Sequence, residues 1–228
     1  MMRTIQEQLS IVIPVLDDAD GLAALLAMLS GGLRIGEVIV VDGGSRDGSA
    51  EVAAAAGARV IVAPRGRGGQ LATGAAKARG KWLLFLHADC QPLPGWEAAM
   101  RDFIDGAAEV AGYFTLALDD PAPAARRLER LVAWRCCTLA LPYGDQGLLI
   151  SRRLYDAVGG YRTLPLMEDV DLVRRLGRAR LRPVGATMLA SARRYRHDGY
   201  WARSLRNLCC LALYFAGVPP RMIARLYG

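Results

Sequence analysis

Apolar runs that end in a charged or glycine-rich turn recur through the first ninety residues, and each is followed by a segment of helical spacing. Residues 10–15 form an apolar run ended by Pro14 and the polar turn 16–20, which leads into a helix starting near Gly21. The stretch 37–42, EVIVVD, reads as a second buried strand, with the alanine-rich helix 49–56 after it. Residues 59–63 form a third strand, and after Pro64 a basic, glycine-rich turn opens a helix that ends at Gly80. The stretch KWLLFLHADCQPLP carries a continuous apolar run, 82–86, with charge only at its C-terminal tip, which suits a central parallel strand covered on both faces. It delivers His87, Ala88 and Asp89 onto a turn stopped by two prolines. This alternation predicts a right-handed, parallel, three-layer sheet, with Asp89 at the carboxyl edge where open α/β sheets bind ligands.

The second half has a different texture. Residues 94–104 read as a helix with Trp96 and Phe103 as core candidates, 111–118 alternate as a strand, and 121–140 carry arginines and apolar residues at helical spacing. A tight turn, PYGDQG, precedes the apolar strand 148–151. A loop from Gly159 runs to LMEDVDL, whose acids open a helix ending near Arg180, and 184–189 form a last strand before the basic ARRYRH. The tail is helical over 200–217, with Trp201, Leu205, Leu208, Leu211 and Phe215 on a broad apolar face and Arg203 and Arg206 near its start. Its apolar stretch, 208–218, is well short of the roughly 20 residues that span a bilayer, so docking on the domain and lying on a membrane surface both fit.

Composition narrows the class. A chain of 228 residues suits one domain able to bury a sizeable core, and 53% hydrophobic content without low-complexity segments indicates a globular protein. The net charge of +7 suits an anionic ligand, an anionic membrane surface or nucleic acid. The start, MMRTIQEQLS, lacks an apolar stretch ahead of a small-residue cleavage site, so no signal peptide and a cytoplasmic protein are expected. Cys90 and the pairs Cys136/Cys137 and Cys209/Cys210 match neither zinc spacing nor a disulfide framework and read as reduced core thiols.

Candidate chemistry gathers at the strand ends. The turn LDDADG lacks the G-x-G-x-x-G of dinucleotide folds. Asp42, at a strand's carboxyl edge, is placed to accept hydrogen bonds from a base or a ribose, with a local Asx-turn as the alternative, whereas Asp47 reads first as a helix cap. Arg65 and Arg67 beside a helix N-terminus suit a diphosphate, although the Gly-Lys-Ser/Thr of a P-loop is missing. Asp145 sits in a tight turn where it either bonds its own backbone or faces a ligand. Glu168 and Asp171 fit the first turn of a helix by charge alone, while Asp169 is a carboxylate on a rigid helix start, suited to taking a proton from an alcohol.

Taken together, IVIPVLDDADGL, VVDGGSRDGS, RGRGGQLATGAA, LLFLHADC, LPYGDQGLLISRR, LPLMEDVDL and SARRY resemble, in order and over nearly the whole chain, the family 2 glycosyltransferases with the GT-A fold. Within that family the likeness points to the short bacterial group found beside radical-SAM/selenodomain proteins. The resemblance implies an α/β, Rossmann-like three-layer α/β/α fold with a mostly parallel central sheet and a C-terminal helical segment. It divides the chain into a catalytic domain, 1–199, and an amphipathic tail, 200–228. Within the domain, 1–90 bind the nucleotide sugar, and 91–199 form the acceptor and catalytic half. Pro14, Asp18 and Asp42 are then expected around the uracil and ribose, with Arg67 and Gln70 also on the nucleotide-sugar side. Asp89 stands as the remaining metal-binding carboxylate of the family's D-x-D signature, with His87 in place of the first Asp, for Mg²⁺ or Mn²⁺. By the same resemblance, Asp145 and Gln146 are expected to line the sugar and acceptor side, Asp169 beside Glu168 to be the catalytic base, and Arg193 and Arg194 to grip the diphosphate. Asp17-Asp18 stands where the family usually has Asn-Glu, and Thr73 where the subgroup tends to have Asn.

The implied activity is inverting transfer of a hexosyl group from a nucleotide-diphosphate sugar, UDP-linked, to an acceptor hydroxyl. The expected partners are that donor and an unknown acceptor, a lipid or other apolar molecule, with no nucleic acid. The tail adds a peripheral contact at the inner face of the membrane. Two other classes remain as alternatives: a nucleotidyltransferase that makes the sugar nucleotide, and a catalytically inert membrane-associated module.

Overall fold

In the computed structural model, which describes residues 9–31, 36–106 and 109–227, the apolar runs become the strands that carry the site. The N-terminal segment behind the signal-peptide expectation lies almost wholly outside the described residues. Strands β1 (Leu9–Val15), β2 (Glu37–Asp42), β3 (Arg59–Val62) and β4 (Trp82–Phe85) alternate with helices α1 (Ala19–Ser30), α2 (Ser49–Ala55) and α3 (Arg67–Lys77). β1 pairs in parallel with both β2 and β4, and β2 with β3. Every residue of β1 and of β4 is buried, as a continuous apolar run on a two-sided sheet requires. Gly74 of α3 lets that helix lie directly on the sheet, since a Cβ there would come within 2.4 Å of Val12 Cγ1.

The later chain adds β5 (Cys90–Pro92), α4 (Trp96–Gly106), β6 (Ala111–Leu118), α5 (Pro123–Leu139), β7 (Leu148–Ser151), α6 (Arg152–Ala157), α7 (Glu168–Leu176) and β8 (Leu181–Ala190). The eight strands form one sheet in the order β3-β2-β1-β4-β7-β6-β8-β5. The sheet is mostly parallel as expected, and mixed in its second half: β7 runs antiparallel to β4 and β6, and β5 antiparallel to β8, while β6 and β8 are parallel. β4 is central but parallel on one side. β5 was not expected, because its prolines read as a stop. Pro92 is tolerated there because β5 is the edge strand, where a missing N–H costs no ladder bond. The short α6 also went unread; Ser151 Oγ accepts from Leu154 N–H at 3.2 Å and starts it.

The chain ends in α8 (Arg193–Asp198), α9 (Tyr200–Phe215) and α10 (Pro220–Tyr227). The tail is thus two helices, separated at Gly217 (φ 85°) and Pro219. It docks through Arg203, Cys210, Leu211 and Ile223, all buried, and through Tyr214, whose hydroxyl donates to Asp171 Oδ1 at 3.5 Å. The opposite side leaves Trp201, Leu205, Leu208, Phe215, Met222 and Leu226 exposed. No helix among the described residues is long and apolar enough to cross a membrane. The cysteines are all free, and Cys137 and Cys209 are exposed rather than core thiols as expected.

Candidate active site

The loops that leave β1 and β2 are sewn together by acids. Asp17 Oδ1 accepts from Arg46 N–H at 2.8 Å, and Asp47 takes Ala19 N–H (2.8 Å) on one oxygen and Ser49 N–H (3.1 Å) on the other. Four residues expected to meet the nucleotide sugar are held by contacts within the fold. Asp42 takes the local-turn alternative: it is 4% exposed, and its carboxylate accepts from Ser45 N–H at 3.0 Å and from the Ser45 hydroxyl. Pro14 is buried inside β1, opposite Val41. Gln70 is buried and donates through Nε2 to Val15 O and Val41 O, both at 2.8 Å, clamping the ends of β1 and β2. Gln146 is buried as well, donating to Phe114 O at 2.9 Å while its Oε1 accepts from Tyr143 N–H at 3.2 Å. A buried amide is retained where its hydrogen bonds are filled, and these are filled by the fold.

The remaining candidates converge. β4 carries the chain to His87 and Asp89, and Ser191 N–H, just beyond β8, donates to Asp89 O at 3.2 Å, so the turn is held between two parts of the sheet. Facing it is the 3-10 turn Gly144–Gln146, whose first residue donates its N–H to Asp169 Oδ2 at 2.8 Å. Val170 N–H, in the first turn of α7, donates to Asp169 Oδ1 at 2.7 Å, and the two bonds hold that carboxylate from both sides. The result is a cleft of about 150 Å³ whose walls include Arg67, His87, Asp89, Asp145, Glu168, Asp169 and Arg194. Asp18 and the exposed Arg193 pair nearby at 3.7 Å.

Crowding of acids in a partly dry cleft sets its electrostatics. Burial, reinforced by the charge of Asp169, pushes the Glu168 carboxyl up to about 7, against the pull of Arg67, 3.7 Å away. Burial likewise pushes Asp145 up to about 6, opposed by Arg135, and leaves its Oδ1 without a hydrogen-bond partner. Burial and then the neighbouring Asp89 raise Asp18. For His87, burial followed by Arg67 and Arg194 drives the imidazole well below its usual range, so it is neutral at neutral pH with a ring nitrogen able to ligate a metal. The Cys90 thiol is pushed well up by burial and by Asp89, which keeps it protonated.

Several wall residues escaped the sequence reading: Tyr143, Tyr195, and from the tail Arg203, Asn207 and Tyr227. One signal was available. Arg203 and Asn207 are one turn apart on the side of α9 opposite Trp201, Leu205 and Leu208, a polar face that a helix lying on a surface would leave to solvent.

Known proteins share the fold. Residues 10–157 match the family Glycosyl transferase family 2. Among solved structures, glucosyl-3-phosphoglycerate synthase from Mycobacterium tuberculosis, in complex with Mn²⁺, UDP and glucosyl-3-phosphoglycerate, superposes with a TM-score of 0.56 and 21% identity, over 81% of this chain and 70% of that one. Mannosyl-3-phosphoglycerate synthase from Rubrobacter xylanophilus superposes with a TM-score of 0.62 and 20% identity, over 92% and 75%. No curated protein sequence matches the chain. The structural likeness carries the fold, an α/β GT-A fold with a mixed sheet, and the sequence match carries the family. The chain belongs to glycosyl transferase family 2.

Proposed function

We propose that the protein transfers a hexosyl group from a UDP-linked sugar to an acceptor hydroxyl with inversion, using Mg²⁺ or Mn²⁺. The observation that carries this reading is the single cleft in which His87 and Asp89 stand across from Asp169. His87 and Asp89 fit a divalent cation: their ligand atoms and Cys90 Sγ all lie within 4.8 Å of one another, and the imidazole is neutral. A nitrogen and a carboxylate oxygen suit Mn²⁺ and, less tightly, Mg²⁺. The Mycobacterium tuberculosis synthase has been crystallised with UDP and either ion. When bound, the cation draws negative charge off the diphosphate.

The protein's own groups do the rest. Arg67 and Arg194 on the cleft wall, with Arg193 beside Asp18, offset the charge that builds on the departing diphosphate. Asp169, steadied by two N–H donors, takes the proton of the acceptor hydroxyl as its oxygen bonds to the anomeric carbon, while the bond to the diphosphate oxygen breaks on the opposite face. Glu168 stays behind it, buried against Arg67. Asp145, with an orphan carboxylate oxygen, takes a sugar hydroxyl. Pro14, Asp18 and Asp42, at the carboxyl ends of β1 and β2, take the uracil and ribose, with Gln70 on the same side. The acceptor has an apolar body, in keeping with Leu118, Leu166, Met167 and Tyr195 in the wall. The chain falls in the family's short bacterial radical-SAM-associated group, and the apolar outer face of its tail brings it to the inner face of the cytoplasmic membrane.

Titration calorimetry of UDP with Mn²⁺, Mg²⁺ or chelator tests the donor site. The parent protein is expected to bind UDP only with metal, and Asp89→Asn to bind at least tenfold more weakly with an unchanged melting temperature. Equal binding by both proteins removes Asp89 from the site.

A further inference from the structure

The helices of the tail do more than dock. Arg203 and Asn207 of α9 and Tyr227 of α10 form part of the cleft wall, alongside Asp145 and Asp169. They are held there by a connected set of contacts. Asp198 accepts from Arg203 Nη1 at 2.7 Å and also binds Arg206, and hydrogen bonds with His197, then Arg203 and Arg206, hold its carboxyl well below the usual range. Arg203, 8% exposed, donates through Nη2 to the Tyr227 hydroxyl at 2.9 Å, and its guanidinium lies over the rings of Tyr195 (5.8 Å) and Tyr227 (5.6 Å). Ile223, fully buried, fixes α10 one turn before Tyr227. The Arg203 cation is therefore already occupied, and its role is to place the Tyr227 ring.

Asn207 differs. Its Nδ2 reaches the Tyr195 hydroxyl at 3.4 Å, but its Oδ1 is buried with no partner. Turning the amide over exchanges an orphan oxygen for an orphan N–H, so the group calls for a partner in either orientation. A buried polar group left unpaired is destabilising, and a ligand able to pair with it removes that cost. Asp145 Oδ1 is a second orphan acceptor in a residue lining the same cleft. With Asp145 Oδ1 given to the donor sugar, the orphan on Asn207 beside the Tyr195 and Tyr227 rings matches a second molecule with a hydroxyl and an apolar face.

We infer that α9 and α10 form the acceptor subsite, in which Asn207 takes a hydroxyl of the acceptor, Tyr227 packs on its apolar portion and Arg203 positions Tyr227; the acceptor class is a polyol or sugar headgroup on an apolar body. This rests on the glycosyltransferase reading above and adds an acceptor site to it.

The test uses n-octyl β-D-glucoside, below its micelle concentration, as a hydroxyl-bearing probe with an apolar tail. Its binding to the full chain is measured by calorimetry with Mg²⁺ and UDP present, for the parent, Asn207→Leu and Tyr227→Ala, with Mg²⁺–UDP affinity measured separately for each. The expected result is probe binding by the parent, weakened about fivefold in Asn207→Leu and about tenfold in Tyr227→Ala, with Mg²⁺–UDP affinity unchanged within twofold. No probe binding by a parent that does bind Mg²⁺–UDP overturns the acceptor class. Equal probe binding by all three proteins overturns the assignment of these residues. A matching loss of Mg²⁺–UDP affinity in the variants makes the tail a structural brace and also overturns it. A parent that fails to bind Mg²⁺–UDP at all counts against the donor reading itself, and this inference falls with it.

Discussion

The backbone N–H of Gly144 donates to Asp169 Oδ2 at 2.8 Å, and a Cβ on the same residue would sit 2.4 Å from His87 Nε2. One glycine thus touches both sides of the proposed reaction, the base and the metal ligand. Gly144→Ala forces either the His87 ring to move or the turn to shift away from Asp169. Turnover is expected to fall roughly 10²-fold, the scale of a displacement of about 1 Å among reacting groups, with the melting temperature moved by only a few degrees. Steady-state rates with a panel of UDP-sugars, beside a thermal melt, check this; a parental rate shows that the site absorbs the methyl group.

Asp169→Asn removes the proposed base while keeping an oxygen that can accept one of its two N–H bonds. Turnover is expected to drop roughly 10²-fold or more, with UDP affinity held within a few-fold. Separate measurement of kcat and of the UDP dissociation constant decides the matter. Near-parental turnover moves the base to Glu168 or Asp145.

How much of this was legible in the sequence depends on whether a residue's role is set by near neighbours in the chain. The strands up to β4 were readable because a two-sided buried strand is a short unbroken apolar run, and 37–42 was matched to the residue. Asp89 and Asp169 were placed on turns by local signals and do face one cleft. The internal partners of Gln70 and Gln146 were not legible, because Val15, Val41 and Phe114 lie 55, 29 and 32 residues away. Asp42 went the other way: a serine three residues on satisfies it locally, which the spacing allowed but could not choose. Tyr227 in the cleft follows from how α10 folds back on α9, a tertiary fact with no periodic signature.

Glu168 gives the protein a pH signature. Its carboxyl rises from an ordinary 4.5 to about 7 on folding, chiefly through burial. The folded state therefore holds a proton that the unfolded chain has released, so this contribution to stability is fully present below pH 4.5 and is lost as pH rises through 7. Asp145, raised to about 6, acts with the same sign over a lower window. In the metal-free protein, urea midpoints are expected to fall between pH 4.5 and 7.5, and Glu168→Gln to flatten part of that decline, on the order of 2 kcal/mol. An unchanged slope in the variant shows that Arg67 compensates the charge in full.

The tail's outer face leads to the last prediction. Trp201 is 82% exposed and Leu205, Leu208 and Leu226 more than 60%, while the inner face of the same helices is committed to the cleft and to Asp171. Arg221 and Arg225 are exposed on α10, so apolar side chains and cations share the surface. Single exposed apolar residues need no explanation, but a run along two consecutive helices is what an interfacial helix presents to lipid, and each arginine near anionic headgroups adds about 1 kcal/mol. The protein is expected to co-sediment with phosphatidylglycerol vesicles at low salt and much less with phosphatidylcholine alone. Trp201→Glu with Leu208→Glu removes the apolar half of that attraction, and Arg221→Glu with Arg225→Glu the ionic half. Either pair is expected to release most of the protein from the vesicles while leaving Mg²⁺–UDP binding intact, because none of the four residues lines the cleft. If the parent stays in the supernatant with anionic vesicles at low salt, the outer face is not a membrane contact. The acceptor must then reach Asn207 and Tyr227 from solution.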